Sequence, residues 1–320
     1  MKSAGEPAPA FDGFSPRSGC PGTGGAWLMA GLCLCSVIVA GNFLLLKQSS
    51  IRISPNILWI WLATGLLVVA LAVMLRVFRV ETPRPWARAS ATVVLCVSGL
   101  LQAAGVWLGR PELSDDGIRY ATDGRMWLAG VSPYAHSPQE VARWLTTRST
   151  GTPQVPPFQP HGELKTIYPP TAQGVFVAAA LGERLIARLQ DQGISENPSR
   201  PPAAGSQVRH GHGRNLLFHR CTAALCAMAI TLLLLGILRK LNRSPWYATL
   251  FAWNPLAVTE MSVQGHIDAF GVLLLVAAVA VALRQRHHLG AALLALAAGV
   301  KPHVAALGPV LVAIVGREAP

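Results

Sequence analysis

Apolar residues run along this chain in long blocks, separated by short basic stretches and one long polar interval. Residues 26–46 are almost continuously apolar, and no charge falls between Arg17 and Lys47. A helix needs about 20 such residues to cross a hydrocarbon core of about 30 Å. Residues 53–75, 89–109 and 221–238 meet that requirement, the last bounded by Arg220 and Arg239. Two weaker blocks follow: 244–264, broken by Asn254, Pro255 and Glu260, and 269–283. The block 289–316 is interrupted by Lys301 and Pro302, so it reads either as one kinked span or as two short arms meeting at the lysine. The pattern predicts an all-α, polytopic membrane helix bundle of about seven or eight spans. The polar tail before the first span is too long and mixed for a signal peptide, so that span reads as a retained anchor.

The short basic stretches orient the spans. Arg76, Arg79, Arg84 and Arg88 form one cluster, Arg239, Lys240 and Arg243 a second, and Arg284 and Arg286 a third. Basic residues near span ends stay cytoplasmic, and an even number of crossings must then separate each pair of clusters. That parity makes 110–220 one extracytoplasmic loop and puts the turn at 265–268 on the same outer side. The expected organisation is a cytoplasmic tail at 1–25, three spans in 26–109, the outer loop at 110–220, and the remaining spans in 221–320. Within the loop, 171–189 has helical character but carries Glu183, Arg184 and Arg188, which suits a helix lying at the membrane interface better than a crossing one. Its flanks, rich in proline at 153–160 and 198–202, read as irregular.

Composition agrees with the pattern. Of 320 residues, 52% are hydrophobic and 13% charged, against roughly a quarter charged in a soluble domain. The mean hydropathy is +0.41, which excludes a cytosolic globular enzyme. The 27 basic and 15 acidic residues leave +12. In a soluble chain that excess would point to nucleic acid; here the basic residues sort to loop ends and no nucleic-acid partner is expected. Five of the six cysteines lie in or beside apolar runs, where sulfur packs as a small hydrophobe.

Against this apolar background, four polar clusters carry candidate chemistry. The outer loop opens with Asp115-Asp116, after Ser114 as a plausible N-cap. Asp116, Arg119, Tyr120 and Asp123 then recur at spacings that share one helix face. Arg119 pairing with both aspartates would explain that face structurally; Asp115 or Asp116 as a general base or metal-binding carboxylate would explain it functionally. Tyr168-Pro-Pro170, with Gln173 a turn later, reads as a rigid helix start. Trp253-Asn-Pro255 is followed by Glu260 and Gln264, which share a helix face, and by His266 and Asp268, for which a mutual hydrogen bond is the simplest reading. Ionisable groups in membrane segments are costly and mark functional sites. Lys301 is one such group; it either takes a carboxylate or phosphate partner or snorkels to the headgroups. His210-Gly-His-Gly213 reads as a flexible linker.

In their order, these clusters and Gly130-Val-Ser-Pro-Tyr134 resemble the GT-C superfamily of membrane glycosyltransferases. More narrowly, they are similar to bacterial polyprenyl-phosphate-mannose-dependent mannosyltransferases and their relatives, over residues 89–316. Ser132-Pro-Tyr134 stands where that family usually has Asn-Pro-Tyr. The resemblance implies a hexosyltransferase of the cell envelope, in the inner (plasma) membrane, with its N-terminus cytoplasmic. It would transfer a hexose such as mannose, with inversion, from a polyprenyl-phosphate sugar to a hydroxyl of a glycan or lipid acceptor on the extracytoplasmic face. It implies Asp115 or Asp116 as the base, Arg119 and Lys301 on the donor phosphate, and His266 and Asp268 at the sugar. Tyr120, Asp123, Tyr134, Tyr168, Gln173 and Glu260 complete the expected substrate site. No cofactor is firmly implied; a divalent cation, Mg or Mn, would fall on Asp115 and Asp116 if one takes part. Family members carry further spans beyond the position of Lys301, so a shortened or truncated relative is expected. The rival readings are a transporter or flippase using Glu260 and Lys301, and a catalytically degenerate subunit of the same fold.

Overall fold

The computed structural model describes residues 65, 73, 84–109, 111, 114–148, 161–193 and 216–309. The expected tail at 1–25, the spans at 26–46 and (apart from residues 65 and 73) 53–75, and the linker at 210–213 lie outside the described residues. Among the described residues all regular structure is helical: α1 (Arg84–Leu108), α2 (Asp116–Leu128), α3 (Pro138–Arg148), α4 (Pro170–Gly193), α5 (Leu217–Lys240), α6 (Thr249–Ala252), α7 (Pro255–Val258), α8 (Asp268–Ala282) and α9 (His287–Ala298).

By length and composition, two helices can cross a membrane: α1, over Ala87–Leu108, and α5. These match the expected blocks at 89–109 and 221–238. A third candidate is the pair Pro255–Val263 and Asp268–Ala282, bent by 120° at the break between them. The described residues therefore hold two or three candidate spans, and the expected count of seven or eight is not reached within them. Helix α4 confirms a helix at 171–189 and is not among the candidate spans. It is tied to α2 through Arg125 Nη2 and Glu183 Oε2 at 2.9 Å.

The block 244–264 is not one continuous helix. Pro255 brings no amide hydrogen and fixes its own φ, so a new helix starts there. Asn254 caps it, its side-chain oxygen accepting from the Leu256 N–H at 3.0 Å. The chain then widens into a π turn at Thr259–Val263, a feature frequent at functional sites. The face expected for Glu260 and Gln264 presumed a regular α-helix and is distorted here. In the block 289–316, α9 ends at Ala298 and Lys301 is extended, with φ −138° and ψ 112°. A residue before proline is biased to that region, and Pro302 then starts a 3-10 turn.

Three contacts lock the helices near the site. Arg220, buried at the start of α5, donates from Nη2 to the carbonyls of Gly105 and Gly109 at 2.8 Å each. Those carbonyls lie at the C-terminal end of α1, where a cation is favoured by the helix dipole. Its Nε donates to the Ser262 carbonyl at 3.1 Å, so one guanidinium joins α1, α5 and the π turn. Gly265, at φ +71°, turns the chain beside it; a Cβ there would stand 3.1 Å from Arg220 Cγ. Beneath the site, Tyr120 stacks on Phe176 with centroids 4.6 Å apart and meets Tyr168 edge-on at 5.2 Å. Gly124 permits this approach of α2 to α4, since a Cβ there would lie 2.3 Å from the Phe176 carbonyl oxygen. Ile267 and Val300 complete the same buried cluster. Their sequence neighbours His266, Asp268 and Lys301 are thereby held over it.

Candidate functional site

The first turn of α2 carries Asp116. Asp115 occupies the N-cap position without a side-chain cap, while Ser114 Oγ accepts from the Asp116 N–H at 3.2 Å. The N-cap is therefore one residue later than the sequence indicates, and the serine still satisfies an otherwise open amide. Asp115 is exposed. Asp116 faces the centre of the site: its Oδ1 accepts from the Tyr168 hydroxyl at 3.1 Å and its Oδ2 lies 4.0 Å from His266 Nε2. Burial, with Asp116 close by, pushes the Tyr168 hydroxyl up to about 12, so it remains a donor to that carboxylate.

His266 and Asp268 do not bond to each other. The tight turn at Gly265 points them to different partners. His266 Nδ1 meets Glu260 Oε2 at 2.5 Å, and Asp268 Oδ2 pairs with Lys301 Nζ at 3.2 Å. Burial disfavours the charged ring of His266. The hydrogen bond and charge of Glu260, with Asp116 and Asp268 nearby, outweigh that burial and raise its pKa above the ordinary histidine value. Lys301 takes a carboxylate partner, one of the two outcomes expected for it, and its side chain stays 29% exposed.

Asp123 belongs to a separate, interior network. It is fully buried, pairs through Oδ1 with Arg119 Nε at 2.8 Å, and accepts at Oδ2 from Gln173 Nε2 at 3.0 Å. Arg119 thus holds one aspartate of its face, not both. Its Nη1 donates to the His161 carbonyl at 3.3 Å, and its Nη2 is buried without a partner. Gln173 bridges further to Thr166 Oγ1 at 2.9 Å and accepts from Trp127 Nε1 at 2.9 Å. Tyr120 is 1% exposed, part of the aromatic floor and not of an open surface. Tyr134 is exposed and its hydroxyl donates to the Tyr168 carbonyl at 2.6 Å, fixing the segment that leads into α4.

The structure therefore brings Asp116, Tyr168, Glu260, His266, Asp268 and Lys301 together, and sets Tyr120, Asp123 and Gln173 behind them as support. The sequence reading missed Arg220, Thr166 and Trp127. Arg220 had served only to mark a span boundary; its place at the start of an apolar run was the available signal. Nothing in the local sequence marks Thr166. Gln264, whose side-chain amide is buried without a partner, is not joined to Glu260.

Among the described residues, no group of three or more His, Cys, Asp or Glu side chains is arranged to hold a metal ion. With Asp115 turned to solvent and Asp116 engaged by Tyr168, this pair does not fit the expected Mg or Mn site, and no step is assigned to one.

Residues 207–317 match the family of the alpha-(1->6)-mannopyranosyltransferase N-terminal domain. The matched segment runs from before α5 through the turn after Lys301. It includes Glu260, His266, Asp268 and Lys301, and excludes Asp115 and Asp116. No curated protein and no solved structure matches the chain. The matched segment and its apolar helices support a membrane protein with a glycosyltransferase role.

Proposed function

We propose that this protein transfers a hexose, mannose in the first instance, from a polyprenyl-phosphate donor to an acceptor hydroxyl at the extracytoplasmic face, with inversion. The observation that carries the reading is the convergence of Asp116, His266, Glu260, Asp268 and Lys301, from three separate stretches of chain, in one place. Three carboxylates, an imidazole and an ammonium brought together are costly in an apolar protein unless they serve chemistry. Asp116 Oδ2, with no donor among the described residues within hydrogen-bond distance, is the base that takes the acceptor's proton. Lys301 supplies positive charge to the departing lipid phosphate, and a fixed cation stabilises developing charge without reorganising. The bilayer delivers the lipid donor, and the outer loop receives the acceptor.

The test is transfer by protein purified in detergent and reconstituted into vesicles containing radiolabelled polyprenyl-phosphate mannose. Methyl α-mannopyranoside serves as acceptor, with and without a chelator. Wild type is expected to form a disaccharide, and Asp116→Asn to lose most of that rate, with Asp115→Asn close to wild type. No transfer by wild type above vesicles lacking protein would end the proposal in favour of a degenerate subunit. Movement of intact donor between leaflets without transfer would favour a flippase. Cysteine labelling near Asp116 and Gly265 from the outer side checks the face.

A further inference from the structure

Resting on the transferase reading, the acceptor's place can be assigned more closely. His266 Nε2 and Asp116 Oδ2 are 4.0 Å apart, too far for a hydrogen bond between them. His266 Nε2 is buried and has no hydrogen-bond partner among the described residues. An oxygen atom set about 2.8 Å from each, an ordinary hydrogen-bond length, bridges that gap. The imidazole cannot swing away to other partners, because Glu260 Oε2 holds Nδ1 at 2.5 Å and the ring's own segment is fixed by the Gly265 turn. Asp116 is fixed likewise by the Tyr168 hydroxyl. The groups facing the ring are Glu260 from the π turn, Asp116 from α2 and Asp268 from the start of α8, all carboxylates. Bonded at Nδ1 to one carboxylate and flanked by two more, the ring is favoured in its doubly protonated form, which directs an Nε2–H at the gap.

We infer that the gap between Asp116 Oδ2 and His266 Nε2 is the subsite for the reacting hydroxyl of a sugar acceptor, with Glu260 the positioning residue that aims His266 at it. The hydroxyl donates its proton to Asp116 and accepts from His266 Nε2–H. Its remaining lone pair is left to attack the anomeric carbon. As the new C–O bond forms, the proton passes to Asp116 Oδ2. The bond from the anomeric carbon to the phosphate oxygen breaks, and its electron pair leaves with the lipid phosphate. Two fixed contacts on one oxygen select which hydroxyl of the acceptor reacts, and so the linkage formed.

The test separates acceptor from donor kinetics in the reconstituted protein, with polyprenyl-phosphate mannose and methyl α-mannopyranoside. His266→Ala is expected to raise the acceptor KM about tenfold to a hundredfold, the cost of one charge-assisted hydrogen bond, while donor KM stays within twofold. His266→Gln, whose amide N–H reaches a similar place, recovers part of the loss, and Glu260→Gln shows a smaller rise of the same kind. Wild type needs no variant for a second measurement: the 6-deoxy analogue of the acceptor, lacking the hydroxyl that an alpha-(1->6) transfer like that of the matched family would use, is expected to inhibit with a constant at least tenfold above the acceptor KM. An unchanged acceptor KM in His266→Ala, equal shifts in donor and acceptor KM, or equal affinity for the 6-deoxy analogue overturns the subsite while leaving the transferase reading standing. Absence of transfer by wild type ends both.

Discussion

Asp116 and Asp123 lie on the same helix, two turns apart and on nearly the same face, yet they occupy opposite worlds. Asp123 is fully buried and saturated by Arg119 and Gln173. Asp116 is 47% exposed, held on one oxygen by Tyr168 and open on the other. A buried ion pair fixes geometry and contributes little net stability, but removing one partner strands the other charge. A half-exposed carboxylate with an unused oxygen can gain and lose a proton. The contrast shows α2 as a helix whose one end is anchored to α4 through Asp123 and Gln173 and whose other end is left open for the proposed chemistry.

The sharpest test of that division is Asp116→Asn. The transfer rate should fall by about 10²–10⁴, the usual worth of a positioned base, with thermal unfolding in detergent unchanged. Asp123→Ala should do the reverse. It strands the Arg119 guanidinium and costs about 3–5 kcal/mol of stability, read by chemical denaturation, while the molecules that remain folded keep their activity. A silent Asp123→Ala, or an unfolded Asp116→Asn, would collapse the distinction.

Tyr168→Phe removes a single hydrogen bond to Asp116. A bond to a charged group is worth about 1.5–3 kcal/mol, so the rate should drop by about tenfold to a hundredfold, without loss of fold. The smallest effect concerns pH. The His266 pKa is raised in the folded protein from its ordinary 6.5, so the ring contributes stability that is fully present below that value and fades as pH rises through the higher folded value. Glu260→Gln removes the chief cause of the rise. The gap in melting temperature between wild type and Glu260→Gln should be widest near pH 6 and narrow on the alkaline side. A gap that widens with rising pH would reverse the sign and place the charge elsewhere.

Much of the fold was legible from apolar blocks, because length and continuity are what a membrane demands of a helix. Residues 89–109 and 221–238 emerged as α1 and α5 for that reason. Chain breaks at Pro255 and Pro302 were also readable, since proline acts locally. The π turn was not, because its widening is set by packing against α1, including a hydrogen bond between Ser262 and Gln102. At the site, the identities of Asp116, His266, Asp268 and Lys301 could be read from ionisable groups standing against an apolar background. Their pairing could not. His266 and Asp268 are two residues apart, and only the positive φ of Gly265 together with the approach of Glu260 and Lys301 decides that each turns elsewhere. Asp123 misled for a related reason: helix periodicity gives a shared face but not which end of that face is buried.

The Arg220 clamp bears on the order in which such a protein can be made. The last carbonyls of α1 are satisfied by a side chain 111 and 115 residues further along. As the chain emerges from the ribosome, α1 is made without this partner, which arrives only with α5. The π turn, later still, accepts the third bond from the same guanidinium. The clamp is therefore complete only once the π turn that carries Glu260 has been made, although it starts from a helix made long before.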